Sequence, residues 1–223
     1  MIVKDSHDKL QFFVDKAEAG YFSHEQYDDR LHEASIWQFN KWKPLYSKDE
    51  RIRAAMSPFR KRITYTTDAN GLYAIADTEN YEFLTGMNVI IFNNDLNKNE
   101  YFDVQFPNDD ERAEVLNSQL NPVSASNPVG EELRSGRVTS FQLIPNQAHA
   151  GEIIFLRTPK KPKFTYTKAG RVITQDVPNS VDPEWQDTEM NQIILKAAAL
   201  LGINLQDEWI RESGMGLTEK SNV

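Results

Sequence analysis

The chain reads as an α+β protein, with N- and C-terminal helices packed together and a central antiparallel, strand-rich region of sandwich or barrel type. Three observations predict this. Apolar residues recur at helical spacing near both termini, from Arg62 the periodicity changes to two, and strand-like runs bounded by Gly, Pro, Asn and Asp then fill most of the middle.

The first helix is expected over residues 5–18, capped by Asp5 or Ser6, with Leu10, Phe13, Val14 and Ala17 as its stripe and an end at Gly20. Ser23-His-Glu-Gln26 has the form of a capping box and opens a second helix reaching about Lys43, where Pro44 stops it. Its apolar residues, Tyr27, Leu31, Ala34, Ile36, Trp37, Phe39 and Trp42, begin as one stripe and then surround the helix. Such an end is expected to insert between neighbours. Ser47-Lys-Asp-Glu50 repeats the box and starts a short third helix with Ile52, Ala55 and Met56 inward. Lys48, Arg51, Arg53, Arg60, Lys61 and Arg62 make this corner the dense basic patch of the sequence, a phosphate or subunit contact or simply a solvated face.

Ile63–Thr67 and Leu72–Ala76 alternate on either side of Asp68-Ala-Asn-Gly71, which predicts a hairpin. Tyr81–Leu84, Val89–Phe92 and Tyr101–Phe106 supply further strands, with turns at Gly86, Asn93-Asn-Asp95 and Pro107. A brief helix follows over Asp109–Leu120, with Ala113, Leu116 and Leu120 inward, and then a long ordered loop over Asn121–Gly136. Arg137–Ile144 is a strand closed by Pro145 and is expected to pair with the next one. That next run, Glu152–Thr158, is β-branched, aromatic and aliphatic between Gly151 and Pro159, so it reads as a non-edge strand buried on both faces. Pro159-Lys-Lys-Pro162 fixes φ twice and stiffens the exit. Phe164, Tyr166, Val172 and Ile173 form two strand pieces around Lys168-Ala-Gly170. Met190, Ile193, Ile194, Ala197, Ala198 and Leu201 then mark an amphipathic helix capped by Asp187 and ended by Gly202. Asn204 caps a last helical turn with Leu205, Trp209 and Ile210, and Ser213–Val223 has no pattern. The regions so defined are 1–62 (helical), 63–135 (acidic, strand-rich), 136–212 (strand pair and helix) and 213–223 (tail).

With 39% hydrophobic and 26% charged residues in 223, the chain has the composition of a soluble protein. No apolar run approaches the roughly 18 residues of a membrane helix, and the N-terminus lacks a secretory h-region, so folding in a cytoplasm is expected. The absence of cysteine excludes disulfides, thiolate nucleophiles and sulfur-bound zinc. Charge is uneven: 12 basic residues face 10 acidic ones in 1–62, 3 face 13 in 63–135, and 10 face 10 in 136–223. An acidic middle argues against a surface that grips nucleic acid.

No catalytic, cofactor or metal constellation is expected. The chain has no Gly-rich phosphate loop, no G-x-S-x-G and no H-E-x-x-H. His7, His24, His32 and His149 are scattered and read as surface residues; His24 and His32 lie about 80° apart around one helix. Asn93, Asp95, Asn97 and Asn99 imitate a calcium loop, but Lys98 and Val104 stand where glycine and a bidentate glutamate are needed.

The stretch Phe155-Leu-Arg-Thr-Pro-Lys-Lys-Pro-Lys-Phe164, preceded by the Val138–Pro145 strand and followed by Asp182-Pro-Glu-Trp185 and the Ile193–Ile203 helix, resembles the head-to-tail connector, or ring, proteins of crAss-like tailed bacteriophages of Bacteroidetes. The resemblance covers roughly residues 120–212, and the first 60 residues only in general character. It implies a non-enzymatic virion protein, made in the bacterial cytoplasm, that forms a homomeric dodecameric connector ring between portal and tail. Its partners would then be its own copies, the portal, ring and tail proteins, and double-stranded DNA in passage without specific binding; no membrane is involved. Candidate interface residues are Trp37, Phe39 and Trp42 on the aromatic helix, Arg51 and Arg53 in the basic corner, and Arg157, Pro159 and Pro162 in the braced strand exit. The alternatives are a tail or baseplate module that binds a surface glycan or receptor, and a carboxylate-dependent hydrolase.

Overall fold

In a computed structural model the α+β chain forms two compact units, Met1–Pro58 together with Pro159–Val223, and Phe59–Thr158. Residues 1–17, 19–136, 138–169 and 172–203 are described; the expected cap at Asn204, the apolar residues Leu205, Trp209 and Ile210, the tail, Arg137 and the Gly170 turn position lie outside them. The first boundary between the units falls after Pro58. The expected break at 135 does not occur, because the strands on either side of it pair with each other, and the second boundary lies between Thr158 and Pro159.

The helical unit contains α1 (Val3–Lys16), α2 (His24–Trp42), α3 (Glu50–Ala55) and α5 (Asp187–Leu200). Helix α1 starts earlier than its local caps predict because its cap comes from far away: the Asp182 carboxylate accepts the Val3 N–H at 2.8 Å. The terminal ammonium also sits 2.5 Å from the Asp187 carboxylate. Asp187 is the first residue of α5 and not its cap. In α2 the capping box forms as expected, Ser23 Oγ accepting from Gln26 N–H and Gln26 Oε1 from Ser23 N–H. In α3 it does not: Asp49, nearer the first turn than Ser47, accepts from Arg51 N–H at 2.8 Å.

The terminal helices share one layer, as predicted, and α2 belongs to it too. Leu10, Phe13 and Val14 of α1, Tyr27, Leu31 and Ala34 of α2, and Met190, Ile193, Ile194, Ala197 and Ala198 of α5 are all buried. Trp185, just ahead of α5, is buried edge-on to Trp42 at 5.6 Å and donates its indole N–H to Ser35 Oγ at 2.6 Å. Trp185→Phe should therefore cost about 1 kcal/mol in urea denaturation with an unchanged m-value, and Ser35→Ala should add little to it, because the two share one hydrogen bond. The arm beyond Pro162 carries the expected hairpin, β8 (Tyr166–Ala169) against β9 (Val172–Gln175).

The other unit has a four-stranded antiparallel sheet, ordered β1 (Arg60–Thr66), β7 (Ala150–Arg157), β3 (Tyr81–Asn93), β4 (Lys98–Asp103). Its second sheet is three-stranded, β2 (Leu72–Ala74), β6 (Val138–Ile144), β5 (Val129–Ser135). Tyr65, Val89, Ile153 and Phe155 from the first sheet and Phe141 and Leu143 from the second belong to one buried cluster, so this is a sandwich. At one side the sheets are stitched together, Gln105 N–H donating to Pro128 O at 3.0 Å and Gly130 N–H to Gln105 O at 2.8 Å. The short helix α4 (Asp109–Leu116) follows β4.

Strand β7 is interior to its sheet, as expected, but it alternates: Gly151, Ile153 and Phe155 are buried while Glu152 and Ile154 are half-buried. Only around Phe155-Leu156 are both faces covered. The predicted β1–β2 and β6–β7 hairpins are corrected. The Asp68–Gly71 turn exists, with Asp68 accepting from Asn70 and Leu72 N–H at 2.9 and 2.8 Å, yet it carries the chain from one sheet to the other. Residues 145–149 make the same transfer in reverse, and the two crossings are tied by Thr67 N–H to His149 O and His149 N–H to Thr67 Oγ1, both 2.8 Å. Gly86 is no turn but lies beside a register shift inside the long β3. The expected Asn121–Gly136 loop is half strand, since Val129–Ser135 is β5, an edge strand whose charged residues hide any alternation. Helix α4 stops before Leu120, which is 98% exposed, and Ala113 is exposed as well.

Candidate functional site

Within the helical unit the proposed interface residues differ in exposure. Trp37 is 44% exposed on α2, and its ring is flanked by the ammonium groups of Lys41 and Lys196 at 5.1 and 4.7 Å. Phe39, two residues on, turns about 200° around the helix into the core and is 1% exposed, so it leaves the interface set. Trp42 is half-buried against Trp185. Pro159 and Pro162 are buried, which removes them from the set too. Arg51 is exposed, whereas Arg53 donates to Ser47 O at 3.2 Å and braces the turn ahead of α3. Arg157 lies in the sandwich unit, 6.0 Å from the Phe59 ring centroid, and donates to Thr158 O. Of the basic residues, Lys48, Arg51 and Arg53 belong to the helical unit, and Arg60, Lys61 and Arg62 lie on β1 of the other, with Lys61 paired to Glu79 and Arg62 3.7 Å from Glu152.

The acidic residues of the sandwich unit are partly neutralised in place. Arg112 meets Glu131 at 2.5 Å and Arg134 meets Glu132 at 2.7 Å, beside a cavity of about 690 Å³ that Asp109 and Asp110 also line. The outward face of the β3–β4 end presents Phe92 and Tyr101, with Leu96 in the turn, all more than half exposed.

A polar cluster that the sequence reading overlooked sits within the helical unit. His7 is 3% exposed, which corrects its reading as a surface residue; His149 is buried as well. His7 Nε2 lies 2.8 Å from Asp28 Oδ1, and His7 Nδ1 lies 3.2 Å from His24 Nδ1. Asp28, itself buried, also accepts the Phe164 N–H, at 3.2 and 3.0 Å to its two oxygens. One carboxylate of α2 thus holds α1 through an imidazole and the arm through a main-chain amide. The signal was present: His7 continues the stripe Val3, Leu10, Val14 of α1, and Asp28 follows His24 at i+4 on α2, so both share faces that must pack.

His24 opens onto a cleft of about 490 Å³ with Asp28, Lys161, Lys163, Phe164 and Tyr166 among its walls. The His24 ring lies 4.8 Å from that of Phe164 and 4.9 Å from that of Tyr166. Lys161 is held by Asp29 at 2.5 Å. Burial holds the His24 imidazole below the usual histidine range, and His7 adds to this, against the opposing pull of Asp28 and Asp8. The cluster can store and share a proton. Among the described residues no three His, Cys, Asp or Glu side chains come together to hold a metal ion, and no helix is long and apolar enough to cross a membrane.

No protein-family model matches this chain, and no curated protein matches it.

Proposed function

We propose that the chain is a non-enzymatic structural subunit of a closed homomeric ring in the neck or tail of a tailed bacteriophage, joining portal to tail around the DNA exit channel. The resemblance of residues 155–203 to phage connector proteins gives the class. The structural observation that carries the reading is a pair of unlike apolar surfaces. Trp37 and Leu45 are exposed on the helical unit among lysines 41, 43 and 196, while Phe92, Leu96 and Tyr101 are exposed on the sandwich beside Asp95, Glu100 and Asp103. A cyclic ring needs this kind of pairing, because each subunit must offer two different and complementary surfaces to its two neighbours. Carboxylates concentrated in 63–135 would keep passing DNA from adhering.

The test is to image the protein in its native particle. A closed ring on the portal axis, twelve-fold by the resemblance, is the expected result; a monomer, or a fibre away from that axis, would overturn the reading. One observation favours a ligand-binding module instead: the cleft bounded by His24, Phe164 and Tyr166 has the volume of a small-molecule site. The hydrolase reading gains no such support, since Glu131 and Glu132 at the acidic cavity are each paired with an arginine.

A further inference from the structure

We propose that Asp28, His7 and His24 form a proton-operated latch, which fastens the Lys163–Tyr166 segment to the two N-terminal helices and lets go of it when the two imidazoles both become charged.

Asp28 accepts the N–H of Phe164 and faces His7 Nε2; with the carboxylate as acceptor on that side too, the hydrogen lies on His7 Nε2. Between the two Nδ1 atoms, 3.2 Å apart, there is room for one hydrogen. With both rings neutral, His7 Nδ1 must be the acceptor, so His24 takes the Nδ1–H form with its Nε2 bare. One added proton is harmless: it sits on His24 Nε2, or on His7 Nδ1 with His24 accepting, and every contact of the array survives. A second cannot be accommodated in this way. It places two N–H groups head to head at 3.2 Å, and the His7 ring, 3% exposed, cannot turn its own to water.

The groups facing the array set where this happens. Asp8 reaches it from α1; Glu25, Asp28, Asp29 and the Tyr27 phenol from α2; Lys161, Lys163 and the Tyr166 phenol from the arm. Burial, the largest effect, and the neighbouring His7 hold His24 low, whereas Asp28 and Asp8 favour its charged form. The sign follows from linkage. A histidine whose closed-state pKa is depressed is protonated first in the open form, so closure is at full strength above the ordinary histidine range and weakens as pH falls through and below it. Since the closed array already carries one proton without strain, release takes up one further proton and should follow pH as a single titration does. The consequence for the fold is local. Losing His7 and His24 from the array loosens the grip on Asp28, and with it the Phe164 N–H bond that pins the arm.

The experiment uses the full chain and nuclear magnetic resonance. At neutral pH, long-range nitrogen–proton spectra should show His7 as the Nε2–H form and His24 as the Nδ1–H form. On acidification from about pH 7 to about pH 5, amide-exchange protection at Phe164 should fall at least tenfold while that at Ile153 and Phe155 in β7 holds. In His24→Gln the amide can turn to donate to or accept from His7 and cannot take a proton, so release should move about one pH unit lower. Wild-type protection at Phe164 that is flat over this range, or both histidines in the Nε2–H form, would overturn the proposal even if the variant does not fold. A folded His24→Gln protein that releases at the wild-type midpoint would overturn it as well.

Discussion

Replacing Gly151 by alanine is expected to destabilise the sandwich unit by about 3 kcal/mol or more, an effect out of proportion to one methyl group. Gly151 sits in β7 between Tyr65 on β1 and Val89 on β3. A Cβ there would fall 1.9 Å from Asn88 O and 2.9 Å from both Asn88 C and Tyr65 Cε1. Neither obstacle can retreat. Asn88 O belongs to an interior strand and accepts the Tyr65 hydroxyl at 3.0 Å, and the Tyr65 ring, which lies across the glycine, is 4% exposed and part of the core. Relief therefore means parting β7 from β3 or expelling the ring. Thermal unfolding of Gly151→Ala should show the loss. Gly86→Ala is the control, because no atom lies within 4 Å of its added Cβ, and it should change stability by no more than about 0.5 kcal/mol.

Ile194→Asp should cost the helical unit about 4 kcal/mol and abolish cooperative unfolding at ordinary temperatures. Ile194 is 2% exposed in the layer that α5 shares with α1 and α2. A carboxylate buried there would be held protonated or would drag the helix end outward. Ile194→Val separates size from charge and should cost only about 1 kcal/mol. A denaturation curve for Ile194→Asp that overlays the parent would remove the helical layer from this description of the core.

Local chemistry was readable at several sites whose determining partner lies within a few residues, though at α3 Asp49 took the capping role expected of Ser47. The Ser23–Gln26 box, the Gly202 stop at φ +83° and the β8–β9 pairing all formed where their residues stand. Strand existence was readable too, since alternation at Ile63–Thr67 and the apolar run at 152–158 report burial directly. What alternation does not report is the partner. Asp68–Gly71 has the composition of a hairpin turn, and nothing in those residues tells a return within one sheet from a crossing to another. The α1 cap failed for a related reason: Asp182 is 179 residues away from Val3. The histidines were misjudged one at a time, when the informative fact was that His7 occupies a core position of its helix and needs a buried acceptor, which Asp28 supplies. Phe39 and the two prolines were placed at an interface because aromatic and rigid residues suit one, and they suit a core equally well.

The order of the units along the chain has a consequence for how the protein is born. The whole of Phe59–Thr158 is inserted between α3 and the arm, and its first and last strands run side by side, Arg60 opposite Leu156. A ribosome therefore delivers α1 and α2, then the entire sandwich, and only afterwards α5, the helix on which both of the early ones depend for their apolar faces. The nascent chain must keep Leu10, Phe13, Leu31 and Ala34 without their final cover while a second core is completed downstream of them. The sandwich holds all its strands before α5 exists, so the helical layer closes last, and a chain stalled before Asp187 would expose the surface that chaperones and proteases recognise.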